Sequence, residues 1–202
     1  MGFKNQVVVS EFALYFGLGK DHILDTNGYD HILFVIALCA VYLLHDWKKV
    51  LILVTAFTIG HSITLALATL NIVAFPGEVI EFLIPLTIFI TAFANVLKRD
   101  EASSKAAIQI NYVFALFFGL IHGLGFSNFL RELLGQSQNI ITPLFAFNVG
   151  LELGQLVIVV LFLTAGFVLV QFVGVARRDW RMVVSSAIAG IALILMKDRI
   201  FW

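Results

Sequence analysis

Six apolar runs separated by short polar segments set the terms on which this chain can fold. They cover residues 29–44, 50–70, 79–97, 106–126, 143–173 and 182–196. A hydrocarbon core about 30 Å thick takes about 20 residues of helix at 1.5 Å rise each, and in lipid every backbone N–H and C=O has to be satisfied within the segment. The runs therefore predict an all-α integral membrane protein of about six transmembrane helices. The stretch 7–18 is apolar but too short to span, and is expected as an interfacial or re-entrant helix. Pro85 predicts a kink and Pro143 a helix start. No internal repeat or linker breaks the pattern, so residues 1–202 are expected as a single transmembrane domain. The content is 60% hydrophobic and 13% charged, against about 45–50% and about 25% in an ordinary soluble domain.

The formal net charge of zero gives no hint of a nucleic-acid partner, and the lone Cys39 permits neither an internal disulfide nor a thiolate cluster. The segment before Lys20 carries Glu11 and no small-residue cleavage pattern, so no signal peptide is expected. Lys48, Lys49, Lys98, Arg99, Lys105, Arg177, Arg178 and Arg181 gather in three loops, while Lys4, Lys20, Arg131, Lys197 and Arg199 lie on the other side. The positive-inside rule puts the first set in the cytoplasm and both termini outside, in what is expected to be a bacterial inner membrane.

Against this apolar background the ionisable residues stand out. An ionisable side chain costs roughly 2 to 3 kcal/mol or more at the bilayer centre, so its presence there points to function. Asp30 and His31 open the first run and Glu81 begins the third. His61 lies about 18 Å along its helix from Lys49, His122 sits in the outer third of the fourth run, and Glu152 is about 14 Å in from Pro143. With His22 just before the first run, these residues predict one divalent metal site in the outer half, because imidazole nitrogen and carboxylate oxygen suit nickel, cobalt or zinc. Gly60, the pair Gly119 and Gly123, and the pair Gly150 and Gly154 allow the close helix approach that short ligands need. Each residue also has a plainer reading. Asp30 and His31 would serve as a helix cap, His61 would be satisfied by Ser62, Thr58 or a facing carbonyl, and Glu81 is near enough to the interface to be solvated. Glu152 is the hardest to explain as structure, and Asn148, one turn earlier, is placed to orient it. His45 beside Asp46 is expected to be solvated. Asp21 and Asp25 would give the mouth a cation-attracting field or merely keep a loop soluble.

The segments GYDHILFVIAL, FTIGHSITL, GLIHGLGFS and FNVGLELGQ resemble the HupE/UreJ family over about residues 12–173. Members are generally regarded as nickel or cobalt permeases, and the resemblance implies that His22, Asp30 and His31 bind the metal. The insert ILDTNGY between His22 and Asp30 is longer than the family's usual gap. A permease would capture a divalent ion at those three residues, dehydrate it between His61, His122 and Glu152, and release it past Thr58, Thr87, Thr91 and Asn95. The last three repeat every four residues and form one polar stripe. No His, Asp or Glu falls in the inner half of a run, which leaves the exit without a strong site. The alternative is an intramembrane metal-dependent hydrolase or acyl-transfer enzyme on a lipid or lipidated substrate, with Glu152 or Glu81 as base and Ser62 or Ser127 binding an oxyanion. A metallochaperone-like or purely structural subunit is a third reading. The expected partners are the metal ion and the lipid bilayer.

Overall fold

The computed structural model describes residues 10–98, 105–134 and 140–202, and among them every regular element is a helix: α1 (Glu11–Ile23), α2 (Asp30–Cys39), α3 (Trp47–Thr69), α4 (Gly77–Leu97), α5 (Lys105–Gly125), α6 (Ser127–Leu134), α7 (Ile141–Gln171) and α8 (Arg177–Asp198), with one 3-10 turn at Leu44–Asp46. The basic residues Lys4 and Arg99, and positions 7–9 of the expected N-terminal helix, lie outside the described residues.

Local chemistry accounts for several boundaries. At α1, Ser10 caps the first turn by accepting from the Ala13 N–H, and Glu11 complements the positive helix end. Pro85 sits inside α4, where it lacks the N–H that would have bonded the carbonyl of Glu81. Pro143 falls in the first turn of α7, where its missing N–H costs nothing.

Three helix pairs build the bundle: α3 with α5, α1 with α7, and α4 with α8. In the first, Gly60 lies against the Leu116 carbonyl, Gly119 against that of Phe57 and Gly123 against that of His61, so close that any Cβ would overlap backbone. Partner numbers rise together, so α3 and α5 run in the same direction. The same device joins α1 to α7, where Gly19 meets Phe147, Gly150 meets Phe16 and Gly154 meets Ile23. Small residues admit this contact, and no longer side chain would. Contacts between α4 and α8 run the other way: Arg181 at the start of α8 donates to the Lys98 carbonyl, while Arg199 just past its end donates to that of Glu81. Thus α1, α2, α4 and α7 point one way and α3, α5 and α8 the other.

One end of the bundle is basic. Asp46 there takes Lys49 at 2.6 Å, His45 at 3.1 Å and Arg177 at 3.6 Å, and Arg177 also reaches the Val41 carbonyl. His45 is therefore an exposed side chain paired with Asp46 rather than simply hydrated.

Among the described residues, four helices are long and apolar enough to cross a membrane: the 3-10 turn with α3 (Leu44–Thr69), α4, α7 and α8. A fifth arises if α5 and α6, bent by 49° at their junction, form one span. This is the build of an integral membrane protein, but it differs from the expected six spans in the first run. Residues 29–44 give only the ten-residue α2, about 15 Å long and half a hydrocarbon core. Where the helix ends, the Asn95 amide reaches the last-turn carbonyl of Ala37 at 2.7 Å and satisfies it.

Candidate metal centre

Four helices each bring one histidine to the same place. His22 is on the last turn of α1, His31 on the first turn of α2, His61 two-thirds along α3 and His122 near the end of α5. Ring centroids of His22 and His31 are 4.5 Å apart, of His31 and His122 5.1 Å, and of His31 and His61 6.0 Å. One nitrogen from each of His22, His31 and His61 lies within 4.8 Å of the other two. Around a shared first-row ion, nitrogens at about 2.0–2.1 Å from the metal sit roughly 3.3 Å from one another, closer than the spacing seen here.

The environment makes these nitrogens costly as they stand. His61 and His122 are fully buried, and Phe34, Phe57 and Phe147, equally buried, wall them in. His22 Nε2, His31 Nε2, both nitrogens of His61 and His122 Nδ1 are buried without a hydrogen-bond partner among the described residues. A buried polar atom left unpaired costs roughly 1–3 kcal/mol. Five such atoms gather around the four imidazoles. The other His122 nitrogen, Nε2, is 3.0 Å from the Thr87 hydroxyl, which in turn donates to the Ile84 carbonyl. With its hydrogen committed to that carbonyl, Thr87 accepts from Nε2–H, which leaves the orphaned Nδ1 as the lone-pair nitrogen.

The remaining expected residues divide into two groups on either side of the histidines. Asp30 and Glu81 line a vestibule of about 390 Å³ together with Asp25, His22, His31 and His122. Asp30 Oδ2 is held at 2.9 Å by Arg199, and its Oδ1 is buried with no hydrogen-bond partner among the described residues. Glu152 is not among the histidines. Its Oε1 accepts from the Thr55 hydroxyl at 2.7 Å, and one turn along α7 the fully buried Gln155 accepts from Thr58 at 2.9 Å. Asn148, expected to orient Glu152, instead donates to the Leu144 carbonyl. On α4, Thr91 donates to the Thr87 carbonyl, and Thr91 and Asn95 line a separate cavity of about 140 Å³ nearer the basic end. Ser62 donates to the Thr58 carbonyl and Ser127 to that of Leu124, so neither hydroxyl faces the histidines as an oxyanion donor.

Three participants escaped the sequence reading. Thr55 and Gln155 carried a signal, since Thr55 and Thr58 repeat at the spacing of Glu152 and Gln155. Arg199 carried none.

A histidine centre flanked by a carboxylate vestibule, on glycine-packed helices, is the arrangement in which the motifs GYDH, FTIGHS and GLIHGLGFS converge. The model of the HupE/UreJ proteins matches residues 2–199. The chain belongs to the HupE/UreJ family. No curated protein and no solved structure gives a significant match. In this HupE/UreJ protein the longer insert after His22 does not keep that residue from the centre, because α1 ends beside the start of α2 and the extra residues form the loop between them.

Proposed function

We propose that this HupE/UreJ protein is a membrane permease for a divalent transition metal of the nickel or cobalt kind, the metals with which the family is generally connected. The observation that supports this most is the convergence of His22, His31 and His61, with the His122 ring 5.1 Å from that of His31, each with a buried nitrogen unpaired among the described residues. The ion enters through the vestibule of Asp25, Asp30 and Glu81, whose charges favour cations. It exchanges water for imidazole at His22, His31 and His61, with His122 as the fourth donor. It leaves toward the basic end, past Glu152 with Thr55 and past the stripe of Thr87, Thr91 and Asn95. Glu152 supplies the strong station on the exit side that the sequence alone lacked. Thr58, hydrogen-bonded to Gln155, and Asn148 frame this route rather than ligate the ion.

In this reading α1 and α2 are the two halves of one discontinuous span, running in the same direction with the loop 24–29 between them. Broken helices at membrane depth are tolerated where they line a cavity, and they are a common way to build a transport site. Counting this pair, and α5 with α6, gives six spans in one domain. The three basic loops face the cytoplasm of a bacterial inner membrane. In a Cys39→Ala background, a cysteine at Asp179 should then be protected from an impermeant thiol reagent in intact cells and one at Ala74 should react; the opposite pattern would invert the topology.

Transport is tested in sealed liposomes holding a metal-responsive dye. Nickel or cobalt should enter down its gradient. Asp30→Asn should abolish entry, Glu152→Gln should cut the rate about tenfold or more while equilibrium binding stays within about twofold, and Asn95→Leu should slow entry without changing binding. These magnitudes follow from losing a charge-assisted contact on the path but not at the centre. Binding without flux for every ion tried would refute the permease. Nothing in the site favours the hydrolase reading or zinc in particular: Glu152 is engaged by Thr55, and Ser62 and Ser127 are turned to backbone carbonyls.

A further inference from the structure

Arg199, in the segment just after α8, reaches into the vestibule and bonds Asp30 Oδ2 through Nη2 at 2.9 Å. Its Nη1 donates to the Glu81 carbonyl at 3.4 Å. That carbonyl is available because Pro85, four residues on, has no N–H to claim it. The sequence of α4 thus prepares a second anchor for the guanidinium. Beyond Arg199 the chain folds over the start of α4, with the Trp202 ring 4.9 Å from Phe82 and Phe201 4.9 Å from Trp202. The guanidinium satisfies only one oxygen of Asp30, and Oδ1 stays buried beside His31 with no hydrogen-bond partner among the described residues. A fixed arginine with two partners is a monovalent cation already seated where an incoming cation would be drawn.

We propose that Arg199 is a tethered counter-ion that closes the vestibule in the ion-free protein and is displaced from Asp30 when a divalent cation enters, making residues 199–202 an entrance gate. The proposal rests on the metal reading of the histidine centre. A divalent ion at Asp30 repels the guanidinium and competes for the same lone pairs, so arginine and metal cannot both hold this carboxylate at full strength. By linkage, metal at Asp30 and the arginine contact weaken each other by the same factor, so loosening that contact at Arg199 strengthens metal binding. The device would select against monovalent ions, which offer too little charge to displace a bonded guanidinium.

The test uses the full chain in detergent with Trp47→Phe and Trp180→Phe, so that Trp202 is the single indole, and Ni²⁺ as the probe. Saturating Ni²⁺ should shift Trp202 emission as the segment leaves Phe82. Arg199→Gln should bind Ni²⁺ about tenfold more tightly and show the displaced emission without metal, while Arg199→Lys should bind like the parent. Asp30→Asn, which keeps Arg199 but removes its anchor, should also show the displaced emission without metal and covers the case in which Arg199→Gln fails to fold. Unchanged or weaker binding in Arg199→Gln, or an indole signal that neither Ni²⁺ nor Asp30→Asn moves, would overturn the gate alone. If Ni²⁺ bound neither the parent nor Arg199→Gln, the metal reading would fall with it.

Discussion

His61→Ala is expected to weaken Ni²⁺ or Co²⁺ binding by about 100-fold or more and to remove the bound ion at stoichiometric concentrations. Changes to groups that merely support a ligand already cost roughly 10–100-fold, so loss of a donor should cost at least as much. His31→Ala should match it, since the two rings belong to the same three-nitrogen set. Thr87→Val should fall below both, in the lower part of that range, because it removes only the partner of His122 Nε2. The alanine variants should stay folded: they remove buried nitrogens that have no partner, and so relieve a desolvation cost as well as opening a cavity. Isothermal titration of the variants in detergent, with melting curves on the same samples, separates a lost ligand from a lost fold. Full-strength binding in His61→Ala would make this residue an ordinary core histidine.

Gly119→Val should be among the most damaging single changes outside the histidines. A Cβ at Gly119 overlaps the Phe57 carbonyl and crowds the His61 N–H, both rigid backbone, so α3 and α5 have to separate. Overpacking costs typically 1–3 kcal/mol when side chains can yield, and here they cannot, so a cost of about 3 kcal/mol or more is expected. For a chain of this size that lowers the melting midpoint by roughly 6–12 °C. Because Gly119 and Gly123 set the spacing between His61 and His122, metal binding should fall as well. Gly190→Ala is the control: nothing lies within 4 Å of its Cβ, so the better helix former should leave Tm unchanged or slightly raised.

Much of this architecture is legible in the residues themselves. The apolar runs beyond residue 44 became helices close to their expected bounds, because a long, mostly apolar stretch leaves the backbone few other ways to satisfy itself. His61 and His122 were legible as ionisable residues isolated in apolar runs and His22 and His31 as a polar cluster at the mouth of the first run, and the glycines beside them announced close helix contact. Where the reading diverged, the cause was tertiary. The run 29–44 reads as a span on hydropathy, but hydropathy does not register that Asn95, 58 residues away, takes up a carbonyl where α2 ends. Glu152 shared an approximate depth with the histidines, yet depth along a helix says nothing of azimuth, and its side chain turns to Thr55 on α3. Arg199 read only as one of the basic residues on the outer side. Its pairing with Asp30 spans 169 positions and has no periodic signature.

The shared ion is the centre of the account, and X-ray absorption at the nickel K-edge of the loaded protein tests it most directly. The account predicts one Ni²⁺ per chain with at least three imidazole nitrogens at about 2.0–2.1 Å, the imidazole scattering dropping in amplitude in His31→Ala. A first shell of oxygens alone, without imidazole scattering, would contradict it.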